Sequence, residues 1–174
     1  MRFGGVMAAA LVLAVGCSQS PTDDPGPSGG GGGGSNPPTG MPMPSNGLCN
    51  DLAAGGGTIG DQLATTPPAL NGGTVVDGRY VLTKYEWYTP NTLHSRSITM
   101  VISGGGAFGS YLWTRDTDPE QRINVTIATN GAQLAMRATC PVGQDLEWDR
   151  FGMTDSGMTL YSSRDNKAAF FSRQ

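Results

Sequence analysis

Apolar and polar residues alternate along several short segments in the second half of the chain. Ile123, Val125 and Ile127 fall on one side of such a segment, and Asn124 and Thr126 fall between them. A period of two residues is typical of a β-strand with one buried face, so we expect Asn124 and Thr126 to face solvent. The same pattern predicts eight strands, which span residues 79–88, 97–102, 108–115, 122–127, 133–139, 146–153, 158–163 and 168–173.

The connections between the predicted strands are short and rich in Gly, Asn and Asp, as at 103–106 and 130–131. These residues adopt the positive φ angles of tight hairpin turns, and no connection has the helical period of a crossover helix. We therefore predict an all-β fold, an antiparallel up-and-down meander that closes into an eight-stranded barrel. A β-sandwich is the alternative, with 89–94 and 116–120 as its longer connections.

The inward face of such a barrel supplies the candidate ligand-binding residues. An interior of eight strands is either filled by side chains or holds one small ligand, and the bulky residues on these short strands favour a filled interior. If a ligand is bound, alternation predicts that it contacts Tyr80, Leu82, Met100, Ile102, Val125, Met136 and Phe170.

The orientation of the first strand stays open at this point. Tyr80 and Leu82 oppose Tyr85 and Trp87 in a strict alternation, and both sets are apolar. Each tryptophan of the chain could therefore lie in the core, at the mouth of the barrel or on its surface.

Composition narrows the function classes. The formal net charge is -3, from 11 Lys and Arg residues against 14 Asp and Glu residues, with a single histidine. Without a basic cluster, the chain offers nucleic-acid phosphates no binding surface. One His and three Cys are too few for a multi-histidine centre or a cysteine-rich zinc module, and we expect His94 to be a surface residue. We expect no enzyme, and assign no catalytic residue, metal or cofactor.

The N-terminus carries a short apolar stretch after Arg2 that ends in Ala14-Val15-Gly16-Cys17. This sequence resembles the lipobox of bacterial lipoproteins. The resemblance implies a signal peptide over 1–16, cleavage before Cys17, and lipidation of Cys17 by a diacylglyceryl thioether and an amide-linked fatty acid such as palmitate. It also implies a cell-envelope protein held in a membrane, and Ser18 in place of Asp implies the outer membrane, on its periplasmic side or at the cell surface.

Residues 17–47 are mostly Gly, Pro and Ser, which predicts a disordered tether between the anchor and the domain. A pre-barrel segment over 48–77 follows, and the barrel domain occupies 78–174. Cys49 and Cys140 remain after Cys17, and an even number of cysteines in an exported protein predicts a disulfide. The alternative is a catalytic cysteine, although neither residue has basic neighbours that would activate a thiol.

Three stretches, 67–83, Cys140-Pro141 and 158–174, resemble small bacterial lipocalin-like lipoproteins. Gly78-Arg79-Tyr80 matches the Gly-x-aromatic motif that opens the first strand in that group, with Tyr in place of the usual Trp. The resemblance implies a barrel that in some members binds a small apolar ligand. We expect a lipid-anchored envelope protein that serves as a structural or interaction scaffold with an unspecified protein partner. The alternative is a binder of a small apolar or amphipathic ligand.

Overall fold

The computed structural model describes residues 47–174, so the predicted signal peptide, Cys17 and the tether up to residue 46 lie outside the described residues. Two short strands precede eight longer ones. Their bounds are β1 Ile59–Gly60, β2 Gln62–Leu63, β3 Gly78–Trp87, β4 Ser95–Ser103, β5 Phe108–Arg115, β6 Gln121–Asn130, β7 Gln133–Cys140, β8 Arg150–Thr154, β9 Gly157–Ser162 and β10 Lys167–Arg173.

Strands β3 to β10 form a closed antiparallel barrel with up-and-down connectivity. Each strand pairs with its neighbours in the chain, and β3 pairs with both β4 and β10. The barrel prediction is confirmed, the β-sandwich alternative is not adopted, and the architecture is compatible with a lipocalin-like domain. Residues 47–174 include no helix that is long and apolar enough to span a membrane.

The buried core follows the predicted alternation in most strands. Met100, Ile102, Val125 and Met136 are all buried inside the barrel. The first strand follows neither strict alternation, because Tyr80 and Leu82 share the interior with Tyr85 and Trp87. The register between β3 and β10 shifts at Phe170/Phe171, so that Phe170 pairs with Lys84 and Phe171 with Leu82. Thr83 has no partner in that register, and this one-residue bulge reverses the alternation along β3.

Phe170 lies on the outer face of the barrel, and its prediction as an inward residue is wrong. Ala169 and Phe171 occupy the interior instead. Lys84 Nζ lies 4.0 Å from the centre of the Phe170 ring on the outside. Two consecutive phenylalanines leave a period-two pattern ambiguous, and Phe171 is the one that pairs with the inward residues Leu82 on β3 and Met158 on β9.

The predicted strand at 146–153 is shorter than expected, since β8 begins only at Arg150. Leu146 makes a single bridge to Met136, and the residues around it do not continue the ladder. The side chains of two acids bind backbone amides in place of ladder bonds: Asp145 accepts from Ala138 N and Asp149 accepts from Ser163 N. The connection between β7 and β8 is therefore a loop over 141–149.

The seam between β3 and β4 is paired along only part of its length. Gly78–Val81 pair with Thr99–Ile102, and beyond that point the two strands diverge. Strand β1 pairs antiparallel with β4, and β2 pairs parallel with β3. The seam segment, which we define as residues 59–63, thus fills the gap between β3 and β4 and completes the wall.

The strap, defined as residues 49–57, crosses the outer face of the barrel. Cys49 forms a disulfide with Cys140, with the Cα atoms 5.4 Å apart, as predicted. Gly55 N donates to Thr99 Oγ1 on β4 at 2.8 Å. Gly56 approaches Val81 on β3 so closely that a Cβ atom would lie 2.3 Å from Val81 Cγ1, which explains the glycine at this position.

The strap buries Asn124, contrary to the expectation that this residue faces solvent. Asn124 is 4% exposed, and its Nδ2 donates to Cys49 O. Its Oδ1 accepts from Asn50 Nδ2 at 3.1 Å and from Ser110 Oγ at 3.0 Å. Asn124 does point away from the barrel interior, but it points into an amide network beneath the strap.

We expect Asn124→Asp to lower the free energy of unfolding by about 3 kcal/mol, because the new carboxylate cannot donate to Cys49 O and is buried there without a cation. Urea unfolding measures the change. Asn130→Asp makes the same substitution at an exposed end of the same strand and should shift stability by less than about 0.5 kcal/mol. Equal stability of the two variants would contradict a role of the amide network.

Residues 72–76 cover one end of the barrel. Gly72 N donates to Phe151 O at 3.1 Å, and Gly72 O accepts from Met153 N at 2.9 Å. Val75 joins the core, and Tyr80 Oη donates to Val76 O at 2.7 Å. This end is closed, and the opposite end is open.

Candidate functional site

A cavity of about 440 Å³ occupies the open end of the barrel. Ile98 and Ile123 contribute to its apolar lining, and the loop over 141–149 borders it. The cavity also has five aromatic side chains in its lining, and all three tryptophans of the chain are among them. These five are Tyr85, Trp87, Tyr111, Trp113 and Trp148.

The aromatic side chains pack against one another as well as against the cavity. The Tyr85 ring lies 5.9 Å from Trp87 and 6.2 Å from Trp148 between ring centres, the latter in an edge-to-face arrangement. Burial raises the pKa of Tyr85 and of Tyr111 well above the usual range, so both phenols are neutral at physiological pH. The aromatic side chains on this side of the cavity are therefore uncharged and pack against one another.

Arg96 and Asp61 form a buried ion pair in the cavity wall. Arg96 Nε donates to Asp61 Oδ1 at 2.6 Å, and Arg96 Nη2 donates to Asp61 Oδ2 at 2.5 Å. The guanidinium also lies 3.8 Å from the centre of the Tyr85 ring. Burial acts to lower the pKa of Arg96, but the hydrogen bonds to Asp61, the charge of Asp61 and the contributions of Tyr85 and Tyr111 together outweigh it, and the pKa is raised.

Asp61 is the central residue of the seam segment, and it binds other groups in addition to Arg96. Trp87 Nε1 donates to Asp61 Oδ2 at 2.9 Å. The backbone N–H of Asp61 donates to His94 O at 2.8 Å, and the backbone N–H of His94 donates to Asp61 Oδ2 at 3.3 Å. One carboxylate from outside the eight barrel strands thus fixes an arginine and an indole that both line the cavity.

Lys167 supplies the second buried cation of the cavity. Its side chain is 7% exposed, and Nζ donates to Glu147 and, at 2.8 Å, contacts Asp165 Oδ2. Burial raises the pKa of Glu147, and hydrogen bonding with Asp165 raises it further. The bonds to Glu147 and to Lys167 hold the pKa of Asp165 down to about 2.

The rim of the cavity carries two further side-chain pairs. His94 Nδ1 lies 2.6 Å from Asp116 Oδ2. The histidine, which we expected on the surface, contributes to the lining of the cavity. A backbone bond from Ser95 and the contact with His94 lower the pKa of Asp116. Arg115 pairs with Asp118 at 2.7 Å.

The cavity does not contain the ligand-binding residues predicted from the sequence. Six of the seven lie in the closed core below it, and Phe170 lies on the outer face. The missed residues continue the same inward faces toward the open end: Arg96 precedes Ile98 by two positions, and Lys167 precedes Ala169 by two. Extending the alternation from Ile98 beyond the apolar residues would have identified Arg96, whereas Lys167 lies on the face of Ala169 and Phe171, opposite to the face predicted from Phe170.

Residues 47–174 contain no group of three or more His, Cys, Asp or Glu side chains arranged to hold a metal ion. Asp116, Asp118 and Glu120, three acids of one turn, contact His94, Arg115 and Arg122 respectively.

Comparison of the chain with protein-family models, with curated proteins and with solved structures found no match.

Proposed function

We propose that this chain is a lipid-anchored cell-envelope protein whose barrel binds a small amphipathic molecule at its open end. The cavity that brings all three tryptophans together supports this most directly. Its volume of about 440 Å³ falls within the range of small-molecule sites, roughly 300–1,000 Å³. Apolar walls with a few fixed polar groups are the usual composition of such sites.

Rigid positioning of the lining also supports binding. Asp61 fixes the Trp87 indole and the Arg96 guanidinium, and Tyr85 packs between Trp87 and Trp148. Side chains that are already held in place lose little conformational freedom when a ligand enters, which favours affinity. An aromatic ring that stacks on the exposed part of these walls gains both burial and ring contact.

We expect the full chain to bind the neutral fluorophore N-phenylnaphthylamine in this cavity. Because every tryptophan of the chain lines the cavity, energy transfer from tryptophan to the bound fluorophore reports binding there. Trp113→Ala removes part of the wall and should weaken binding about tenfold, as the loss of one aromatic contact does.

Phe170→Ala is the matched control, because Phe170 is an aromatic residue of the outer face. Its binding constant should equal that of the unaltered chain. Weakened binding in Phe170→Ala with no change in Trp113→Ala would place the ligand elsewhere and contradict the proposal. Absence of binding, together with no small molecule in native mass spectra of protein from its own host, would favour a scaffold instead.

The membrane anchor is a separate prediction, which rests on the lipobox-like sequence before Cys17. Cys17→Ala should block lipidation, so the chain should leave the membrane fraction or accumulate with its leader attached. Cys49→Ala removes a cysteine of the barrel domain instead and should leave the chain in the membrane fraction. Fractionation of the host cells measures both, and a wholly soluble unaltered chain would contradict lipid anchoring.

A further inference from the structure

The charged side chains that the barrel strands direct toward the open-end cavity are all cations. Arg96 continues the inward face of Ile98, Arg115 continues that of Trp113, and Lys167 continues that of Ala169; the three cations line the cavity. Cations held on paired strands of a barrel have fixed positions. The strands therefore place three positive charges along the wall of the lumen at this end.

The carboxylates that pair with these cations come from outside the barrel strands. Asp61 belongs to the seam segment, Asp118 to the connection after β5, and Glu147 and Asp165 to the connections after β7 and β9. The three strand cations are therefore paired with carboxylates of segments outside the barrel strands, which also place Arg164 at the cavity. The carboxylates on the connections after β5, β7 and β9 can move without opening the barrel, whereas Asp61 belongs to the seam segment that completes the wall.

Glu147 is the most displaceable of these partners. Its side chain is 48% exposed. It belongs to the loop over 141–149, which joins the sheet by isolated bridges at Val142 and Leu146, by backbone bonds of Asp149 and by side-chain contacts. Burial raises the pKa of Glu147, which means that its ionised form is not well stabilised at this place. A stronger acid could replace it as the partner of Lys167.

Lys167 Nζ lies between two indole rings, 5.4 Å from the centre of Trp87 and 5.6 Å from that of Trp148. A molecule that contacts these indoles would bring a substituent within reach of Nζ. An aromatic surface next to a fixed, desolvated cation can bind a planar ring that carries a negatively charged group.

Deepening the proposed function, on which this inference rests, we propose that the cavity selects small aromatic anions, with the ring against the tryptophans and the carboxylate or sulfonate on Lys167 in place of Glu147. Arg96 keeps its pairing with Asp61 and adds positive potential to the cavity. A neutral molecule of the same shape makes the ring contacts but leaves the Lys167–Glu147 pair unchanged.

Two fluorophores distinguish the contribution of the aromatic ring to binding from that of the negative charge. Anilinonaphthalene sulfonate and N-phenylnaphthylamine share one aromatic framework and differ by the sulfonate. We expect the sulfonate to bind the full chain about tenfold more tightly, the gain from one charge-assisted hydrogen bond, with energy transfer from tryptophan as the readout. A urea midpoint measured for each variant excludes binding to a partly unfolded chain.

Lys167→Gln should remove the preference for the sulfonate and leave binding of the neutral fluorophore nearly unchanged. The chain has one other lysine, Lys84, which lies outside the barrel over Phe170. Lys84→Gln is therefore the matched control and should keep the tenfold preference. If the preference persists in Lys167→Gln, Lys167 is not the anion site.

Glu147→Gln keeps the test decisive if Lys167→Gln is too unstable to study. Removing the competing carboxylate should raise the affinity for the sulfonate about threefold without changing that for the neutral fluorophore. Equal affinity for both fluorophores in the unaltered chain overturns the selectivity for anions and leaves the proposed binding function intact. If neither fluorophore binds, the proposed function itself fails.

Discussion

Reduction of the Cys49–Cys140 disulfide should lower the free energy of unfolding by about 4–5 kcal/mol. The bond closes a loop of roughly 90 residues, and in the chain-entropy model its loss frees the unfolded state by that amount. The strap and the seam segment lie within this loop, so they detach more readily when the bond is absent. The β3–β10 ladder and the other hairpins do not depend on the bond, and the barrel should stay folded in buffer.

Urea unfolding of the full chain, with and without reductant, measures this loss, and far-ultraviolet circular dichroism reports the sheet. The double variant Cys49→Ser/Cys140→Ser is the control, because reductant should not affect it further. A midpoint that stays constant while thiol labelling shows complete reduction would contradict the expected loss.

Much of the barrel follows from local pattern. Period-two segments such as the one around Val125 predict strands because one face must be buried, and hairpin turns such as 130–131 are short enough to force antiparallel neighbours. Closure by β10 against β3 follows from the absence of any other partner for two edge strands. The disulfide follows from an even count of cysteines in the domain. Each of these inferences uses neighbouring residues or simple counts.

The departures arise where a distant segment changes a residue's surroundings. Asn124 is polar and points outward, yet the strap, some 70 residues earlier in the chain, buries it. Phe170 points outward because its neighbour Phe171 pairs with the inward residues Leu82 and Met158 of two other strands. The seam segment has no alternating pattern that predicts a strand, because each of its strands is only two residues long. These strands form by pairing with the free edges of β4 and β3.

The sequence argument favoured a filled barrel, and this favoured a scaffold over a binder. That argument is valid for the closed end, where Tyr80 and Met100 are fully buried. It does not extend to the open end, because the inward positions there include Arg96 and Lys167, which line the cavity. The cavity lies where the inward positions change from apolar to cationic residues. The number of bulky residues on the strands does not reveal this change.

Asp61→Ala should lower the free energy of unfolding by about 3–5 kcal/mol, because Arg96 would remain buried without a counter-charge. The Asp61 side chain is fully buried, and it also accepts hydrogen bonds from Trp87 and from the backbone of His94. The seam segment should then detach from β3 and β4. Trp87 fluorescence should shift to longer wavelength as its indole gains access to water.

Asp51→Ala is the matched control, since Asp51 lies exposed on the strap, and its stability should change by less than about 0.5 kcal/mol. The double variant Asp61→Ala/Arg96→Leu separates the ion pair from the other contacts of Asp61. An apolar residue does not require a counter-charge, so the double variant should regain a large part of the stability lost in Asp61→Ala. If it is no more stable than Asp61→Ala, the unpaired arginine is not the cause of the loss, and the hydrogen bonds to Trp87 and His94 are what hold the seam closed.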